Sequence, residues 1–366
     1  GERPRPNDSR GSLGDRRGHH RMNPIPILDI TSTLRSFFIN PWVNGIILGI
    51  MVLGVFISFR ILNIADLSVE GVLPLITMLT AVLLDIDVNP WLVLLISIAI
   101  GVCCGILNAL LTIYLKTPPL LSGIIVMALA FGLAIMINSL KAGQASFDPT
   151  AHLTVFNWLR NLLAKASSDR IYLFYASYLS YIIVSLLLLL LFAFGLYFFF
   201  GTELGMAIRA SGKNPSMARA NGINVEKMSI IALGISGGLI GMASCLYGQH
   251  NAMGLPTDGQ GMIVIALSSL FLGEILLGRR TFKGNLIACL VGSLLYWYLI
   301  QVLMLIDVHG YMLSVYKALL LVAVIAIQLL ISVMAKKKTN GKNASPGKEV
   351  LLESKESLIQ HTMGRK

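Results

Sequence analysis

The sequence predicts an all-α integral membrane protein, a polytopic bundle of about 8–10 transmembrane helices, some of them broken, with a short cytoplasmic helix. Hydrophobic residues make up 55% of the 366 residues and charged residues 13%, and this charged share is about half that of a soluble domain. Backbone polar groups inside a bilayer must pair within their own segment, and the short alternating strands of a barrel are absent from the sequence. A helical bundle follows.

Nine apolar segments are candidates for the membrane helices. Most reach the roughly 20 residues that a helix needs to cross a bilayer. They are residues 42–59, 66–84, 91–115, 120–140, 171–200, 228–248, 262–277, 285–306 and 311–335.

The two ends of the chain differ from this apolar body. Residues 1–21 are rich in Arg and Gly and precede a plausible start at Met22, so we interpret them as an upstream or expression-derived remnant. Residues 336–366 contain many Lys, Ser, Gly and Glu and are expected to be disordered. The membrane domain is therefore expected to span residues 22–335.

The net charge is +11, and residues 1–21, with six Arg and three acids, contribute +3 of it. Most of the remaining +8 lies in three short basic segments outside the apolar runs. Loops rich in Lys and Arg mark the cytoplasmic side of membrane proteins, so we expect these segments, and the C-terminus, to be cytoplasmic. Aromatic residues do not alternate with the basic ones, which argues against nucleic-acid binding. The basic residues are Arg209, Lys213, Arg219 and Lys227, then Arg279, Arg280 and Lys283, then Lys336, Lys337 and Lys338.

A polar island at residues 201–227 separates two long apolar runs. Asn214 is a good helix N-cap, Pro215 suits the first helical position, and Gly222 can end a helix in the left-handed conformation. These signals predict a helix of about two turns at residues 215–221. A helix this short is marginal alone in water, so it is expected to dock against a partner.

The island resembles the cytoplasmic coupling loop of permease subunits of bacterial ABC importers, in the family that serves branched-chain amino acids, ribose and similar sugars. The resemblance rests on Arg209-Ala-Ser-Gly-Lys-Asn and Ala220-Asn-Gly-Ile-Asn-Val. It extends over residues 45–330 and includes the early break at residues 63–71, Leu272-Gly-Glu with the turn at residues 278–284, and the helix at residues 286–295. The late loop departs from the family pattern, since Glu274, Arg279 and Arg280 stand where the family usually has glycines.

The resemblance implies a function, partners and residue roles. The early Leu-Ser-Val-Glu-Gly segment is most similar to the subgroup assigned to tryptophan, tyrosine or other amino-acid-like solutes. A second permease copy or a sister permease, a cytoplasmic ATPase and an external solute-binding protein would complete the importer in the bacterial plasma membrane, with no cofactor in this chain. The residues that would couple to the ATPase are Ser211, Gly212, Asn214, Pro215, Met217, Ala218 and Gly222.

The early break carries the charges Arg60, Asp66 and Glu70. Charges within membrane segments are costly, so they usually line a cavity or pair with each other. One interpretation is an interfacial loop in which Asp66 or Ser68 caps the next helix, and the other is a broken helix that faces the solute path. The candidate path residues are Asp66, Ser68, Glu70, Ser268 and Ser269.

Several functions compete with an amino-acid importer. The solute could instead be a sugar or a nucleoside, and an ion-coupled carrier would use Asp66 and Glu70 as its ion-carrying acids. A membrane enzyme acting on lipid would need clustered acids or histidines at one face, and the sequence lacks them. It also lacks a phosphate-binding loop, a catalytic constellation and metal-ligand spacing, so ATP hydrolysis is expected in a partner and this chain is not expected to be an enzyme.

Small residues recur at close spacing in the apolar segments. Gly101 with Gly105, and Gly237 with Gly238 and Gly241, are the main examples. In lipid such residues let helix backbones approach each other. We therefore predict close helix packing at these glycines.

Overall fold

The computed structural model describes residues 27–140, 145–148, 152–157, 159, 170–278, 281–306, 315–327 and 329–330. It comprises two compact units, Gly1–Phe38 and Ile39–Lys366. All packing described below lies within the second unit. The predicted domain boundaries at residues 21 and 336 fall outside the described residues and stay predictions.

Helices dominate the described chain. The first, α1 (Ile27–Val55), continues into a π-helical turn (Phe56–Ile61). The others are α2 (Val69–Asp85), α3 (Pro90–Tyr114), α4 (Pro119–Leu140), α5 (Arg170–Phe199), α6 (Glu203–Lys213), α7 (Pro215–Ala220), α8 (Val225–Asn251), α9 (Met262–Leu277), α10 (Phe282–Ile306) and α11 (Val315–Ile327).

Seven helical stretches in the described residues are long and apolar enough to cross a membrane. The predicted segment at residues 66–84 corresponds to α2, which has 17 residues, and α11 lies within the predicted segment at residues 311–335. The predicted polytopic helical bundle is confirmed.

The helix ends follow local capping chemistry. At the start of α3, for example, the Asn89 side chain accepts a hydrogen bond from the Trp91 N–H at 3.0 Å, and Pro90 is the first helical residue.

Glycines bring α3 and α8 into backbone contact, as predicted. A Cβ on Gly101 would overlap the Gly237 carbonyl, and one on Gly105 would overlap the Leu233 carbonyl. Gly241 meets the Ser97 carbonyl in the same way. Because lipid chains are as apolar as leucine, this close backbone contact holds the two helices together where the hydrophobic effect cannot.

The segment after α8 turns back along α2. Residues Ala145–Ser146 (β1) and Met253–Gly254 (β2) form a small antiparallel pair, and a 3₁₀ turn (Pro256–Gly259) follows. Gly254 packs on the backbone of α2 at Thr77 and Met78. The sequence did not indicate this strand pair, because two residues per strand carry no detectable alternation.

Candidate functional site

The polar island folds as a hairpin of two short helices whose ends are capped by nearby side chains. Thr202 caps α6, and the Asn224 side chain accepts from the Lys227 N–H at 3.0 Å at the start of α8. At α7, Asn214 Oδ1 accepts from the Met217 N–H at 3.1 Å. The predicted helix is confirmed with Asn221 as its C-cap, one residue earlier than expected.

The turn after α7 also matches the sequence expectation. Gly222 adopts a φ of +79°, the left-handed region that favours glycine. A side chain at this position would be strained, so Gly222 sets the direction in which the chain enters α8.

The residues expected to couple to a partner divide into buried and exposed ones. Ser211 and Ala218 are buried, Ala218 being only 2% exposed. Asn214 and Pro215 are exposed, and Met217 presents 63% of its surface. Ala218 therefore stabilises the hairpin, whereas Met217 is available to a docking partner.

The hairpin rests on the break between α1 and α2. Asn63 adopts a φ of +56°, which Asn tolerates better than most residues, and its Nδ2 donates to the Gly212 carbonyl at 3.0 Å. Gly212 lies so close to the Ile61 carbonyl that a Cβ would overlap it. The structure thus brings the early break and the hairpin of α6 and α7 into direct contact.

Asp66 lies buried at the centre of a hydrogen-bonded network. Its Oδ1 accepts from the Ser68 backbone N–H at 2.9 Å and from Asn108 Nδ2 at 2.8 Å. Asn108 Oδ1 in turn accepts from Ser122 Oγ at 2.7 Å. Ser68 occupies the N-cap position of α2, but its side chain makes no capping bond. The network ties α2 to α3 and α4, which favours a structural role for Asp66.

Arg60 pairs with a residue that sequence reasoning did not connect to it. Its guanidinium donates through Nε and Nη2 to both carboxylate oxygens of Glu274 on α9, and it lies against the rings of Phe59 and Phe271. The Glu274 side chain is 1% exposed and that of Arg60 25%. The sequence carried one signal for this ion pair, which is that Glu274 stands where the family usually has a glycine. Nothing in the sequence linked Glu274 to Arg60.

The remaining path candidates lie on α2 and α9. Glu70, in the first turn of α2, interacts with the backbone N–H groups of Gly261 and Ile263 and with the Lys317 ammonium. Ser268 and Ser269 are buried in α9, and the Ser269 carbonyl contacts α10 at Gly292. Glu70 therefore stabilises the start of α9, and Ser269 lies at a helix contact.

Membrane-length helices around a glycine-packed core, with a capped polar hairpin at one end, define a multi-pass helical membrane protein. The chain belongs to the family described as branched-chain amino acid transport system / permease component, whose profile matches residues 38–332. This is a family of ABC importer permeases, so the family membership predicted from the motifs at residues 201–227 is confirmed.

Its relatives are named for several solutes. The chain is 29% identical to the tyrosine transport system permease of Clostridioides difficile, covering 84% of this chain and 96% of the relative. It is 24% identical to the ribose import permease RbsC of Escherichia coli K12, with coverages of 72% and 76%, and 27% identical to the guanosine ABC transporter permease NupQ of Bacillus subtilis, with coverages of 58% and 67%. No solved structure matches the chain significantly.

Proposed function

We propose that this chain is the membrane-spanning permease subunit of an ATP-driven importer and docks a separate ATPase through α7. The observation that carries the proposal is Met217, an apolar side chain held 63% exposed on a capped helix in a polar loop. Methionine is enriched at protein–protein interfaces relative to the rest of the protein surface, so an exposed Met217 favours docking at this helix. A second permease copy and an external solute-binding protein would complete the importer.

The contact between the hairpin and the break supplies a route for coupling. A partner that displaces α7 would move Gly212, which touches Ile61 and accepts from Asn63. The same displacement would act on α8 through the short connection capped by Asn224. The helical bundle would thereby shift from an inward-open to an outward-open state. The ATPase would drive this shift by binding one of the two states more tightly than the other.

The proposed solute is an amino acid or a related compound. The support is the tyrosine permease of C. difficile, which this chain matches along 96% of that relative's length. A sugar or a nucleoside is the second candidate, because ribose and guanosine permeases are also relatives. Uptake of labelled tyrosine, ribose and guanosine by membranes containing the whole importer would decide between them.

Replacing Met217 with Glu tests the docking assignment. The new charge should weaken co-purification of the ATPase and lower uptake, since a charge would be desolvated at the interface. Met253→Glu is the matched control, because Met253 is an exposed methionine beyond the opposite end of α8. Equal ATPase recovery from both variants and the unmodified protein would refute the assignment.

Membrane sidedness is a separate part of the proposal. A cysteine at Ser216 should resist an impermeant thiol reagent in intact cells, and one at Leu153 should react, in a protein without its native cysteines. Both positions are exposed. Labelling of the Ser216 position from outside would reverse the orientation and remove the hairpin from the cytoplasmic side.

An ion-coupled carrier makes a different prediction for energy use. Uptake by the importer should require ATP and the binding protein and should persist when ion gradients are collapsed. A carrier would instead depend on Asp66 and Glu70 as its ion-carrying acids. Gradient-driven uptake by the purified chain alone would overturn the proposal.

A further inference from the structure

An apolar groove of about 640 Å³ runs along the outer surface of α5 and α10. None of the functional residues discussed above lines it. Its walls are aliphatic and aromatic, formed chiefly by Leu187, Leu190, Leu191, Phe194, Leu286 and Leu290. At one end the lining changes to Tyr197 and Lys283, which alone among the described lining residues have polar tips.

A second, more polar cavity of about 700 Å³ begins where the groove ends. It shares Tyr197 and Lys283 with the groove and adds Arg209 and the hydroxyl-bearing Thr202 and Thr281. The two cavities therefore form one continuous surface that is apolar along its length and basic at one end.

Aromatic rings hold both cations at this end. Lys283 Nζ lies 4.8 Å from the centre of the Tyr197 ring, and the Arg209 guanidinium carbon lies 5.0 Å from the centre of the Phe282 ring. Within the described part of the chain, no carboxylate lies within ion-pairing distance of either cation. Two oriented, unneutralised cations beside hydroxyl groups form a suitable site for a phosphate group.

We propose that this surface binds an anionic phospholipid, with its phosphate between Lys283 and Arg209 and an acyl chain along the groove. A basic pocket between membrane helices attracts anionic lipid head groups, and the groove adds apolar area for a chain. The site lies beside α6 of the coupling hairpin, since Arg209 belongs to α6. A bound lipid would fix α6 against α5 and α10 and so stabilise the base of the hairpin.

The shape of the surface distinguishes a phospholipid from a free phosphate ion. A free phosphate ion would contact only the basic end and would leave the leucine-lined groove empty. A second copy of this chain packed through the same face is less suited, because it would bring its own Lys283 and Arg209 towards the same two cations. Charge complementarity therefore favours the lipid over a self-contact through this face.

Native mass spectrometry of the full-length protein, purified in detergent and supplied with phosphatidylglycerol or phosphatidylcholine, tests the proposal. Lys283→Gln and Arg209→Gln should each lower retention of phosphatidylglycerol about five-fold, the effect of one membrane-proximal charge. Lys227→Gln, which removes an exposed charge at the start of α8, should leave retention unchanged. Inorganic phosphate should not displace the lipid.

A second pair of variants tests the groove without altering charge. Leu190→Trp should fill the groove and lower retention, whereas Leu299→Trp, at an exposed position of α10 outside the groove lining, should not. Equal retention of the two lipids, or displacement by inorganic phosphate, would overturn the proposal. So would a change in oligomeric state in Leu190→Trp with lipid retention unaltered, because the groove would then be a contact between copies. The docking of the ATPase is measured separately and can fail independently.

Discussion

The hairpin of α6 and α7 and the break before α2 are both short polar interruptions between apolar helices, but different contacts hold them. In the hairpin the structure-defining bonds are local: Asn214 and Asn224 each cap a backbone N–H three residues ahead. In and beside the break, distant bonds join the local one between Asp66 and the Ser68 N–H. Asp66 also bonds Asn108, 42 residues away, and Arg60, in the π-helical turn just before the break, bonds Glu274, 214 residues away. The hairpin is therefore built to present side chains, and the break is built to join helices.

The difference predicts how each region responds to substitution. A change in the break should lower the stability of the whole bundle, because it leaves a distant buried partner unsatisfied. A change at an exposed hairpin position should alter only local order or docking. Gly212 lies where the two regions meet, so it should show an intermediate effect on stability.

The largest effect is expected for Glu274→Ala. It leaves the partly buried Arg60 guanidinium without its carboxylate, which should lower the free energy of unfolding by about 3 kcal/mol. Denaturant unfolding of the detergent-purified protein measures this loss. A double variant with Met at both Arg60 and Glu274 should recover most of it, because no uncompensated charge remains. If the single variant were as stable as the unmodified protein, the pair would not join the helices as described.

Gly212→Ala should have the next largest effect. Its methyl group would overlap the Ile61 carbonyl, and overpacking of this kind costs about 1–3 kcal/mol. Uptake should fall together with stability, since the hairpin would be displaced from the break. Gly132→Ala on α4 is the matched control, because no atom lies within 4 Å of its added Cβ. A similar loss of uptake in both variants would show that the hairpin–break contact has no special role.

The smallest effect is expected for Asn214→Ala. Loss of the cap should destabilise α7 locally by about 1 kcal/mol without changing global unfolding. Hydrogen exchange at the Met217 amide, the group that Asn214 caps, should become about five-fold faster. Asn214→Asp should restore protection, because Asp is also a good N-cap. Loss of global stability in Asn214→Ala would mean that the hairpin is not the locally held region described here.

Several features of this protein could be predicted from the sequence alone. Composition and run length determined the membrane class, because a bilayer admits few backbone arrangements. Asn214, Pro215 and Gly222 determined the short helix and its end, since caps and left-handed turns depend on neighbouring residues. The glycine spacing at Gly101 and Gly105 correctly predicted a close helix contact, although it did not name the partner helix.

The tertiary structure decided which distant residues meet. Arg60 was grouped with Asp66 and Glu70 because they are neighbours in sequence, yet it pairs with Glu274 on another helix. The sequence grouped Ala218 with Met217 as contact residues, and only the tertiary structure shows that Ala218 is buried whereas Met217 is exposed. The physical reason is that lipid chains are as apolar as the helix faces, so apolar character alone does not select which helices pack together. The choice of partner helix depends on small residues and polar groups that match across the contact. That matching involves positions far apart in the chain, and one sequence does not reveal it.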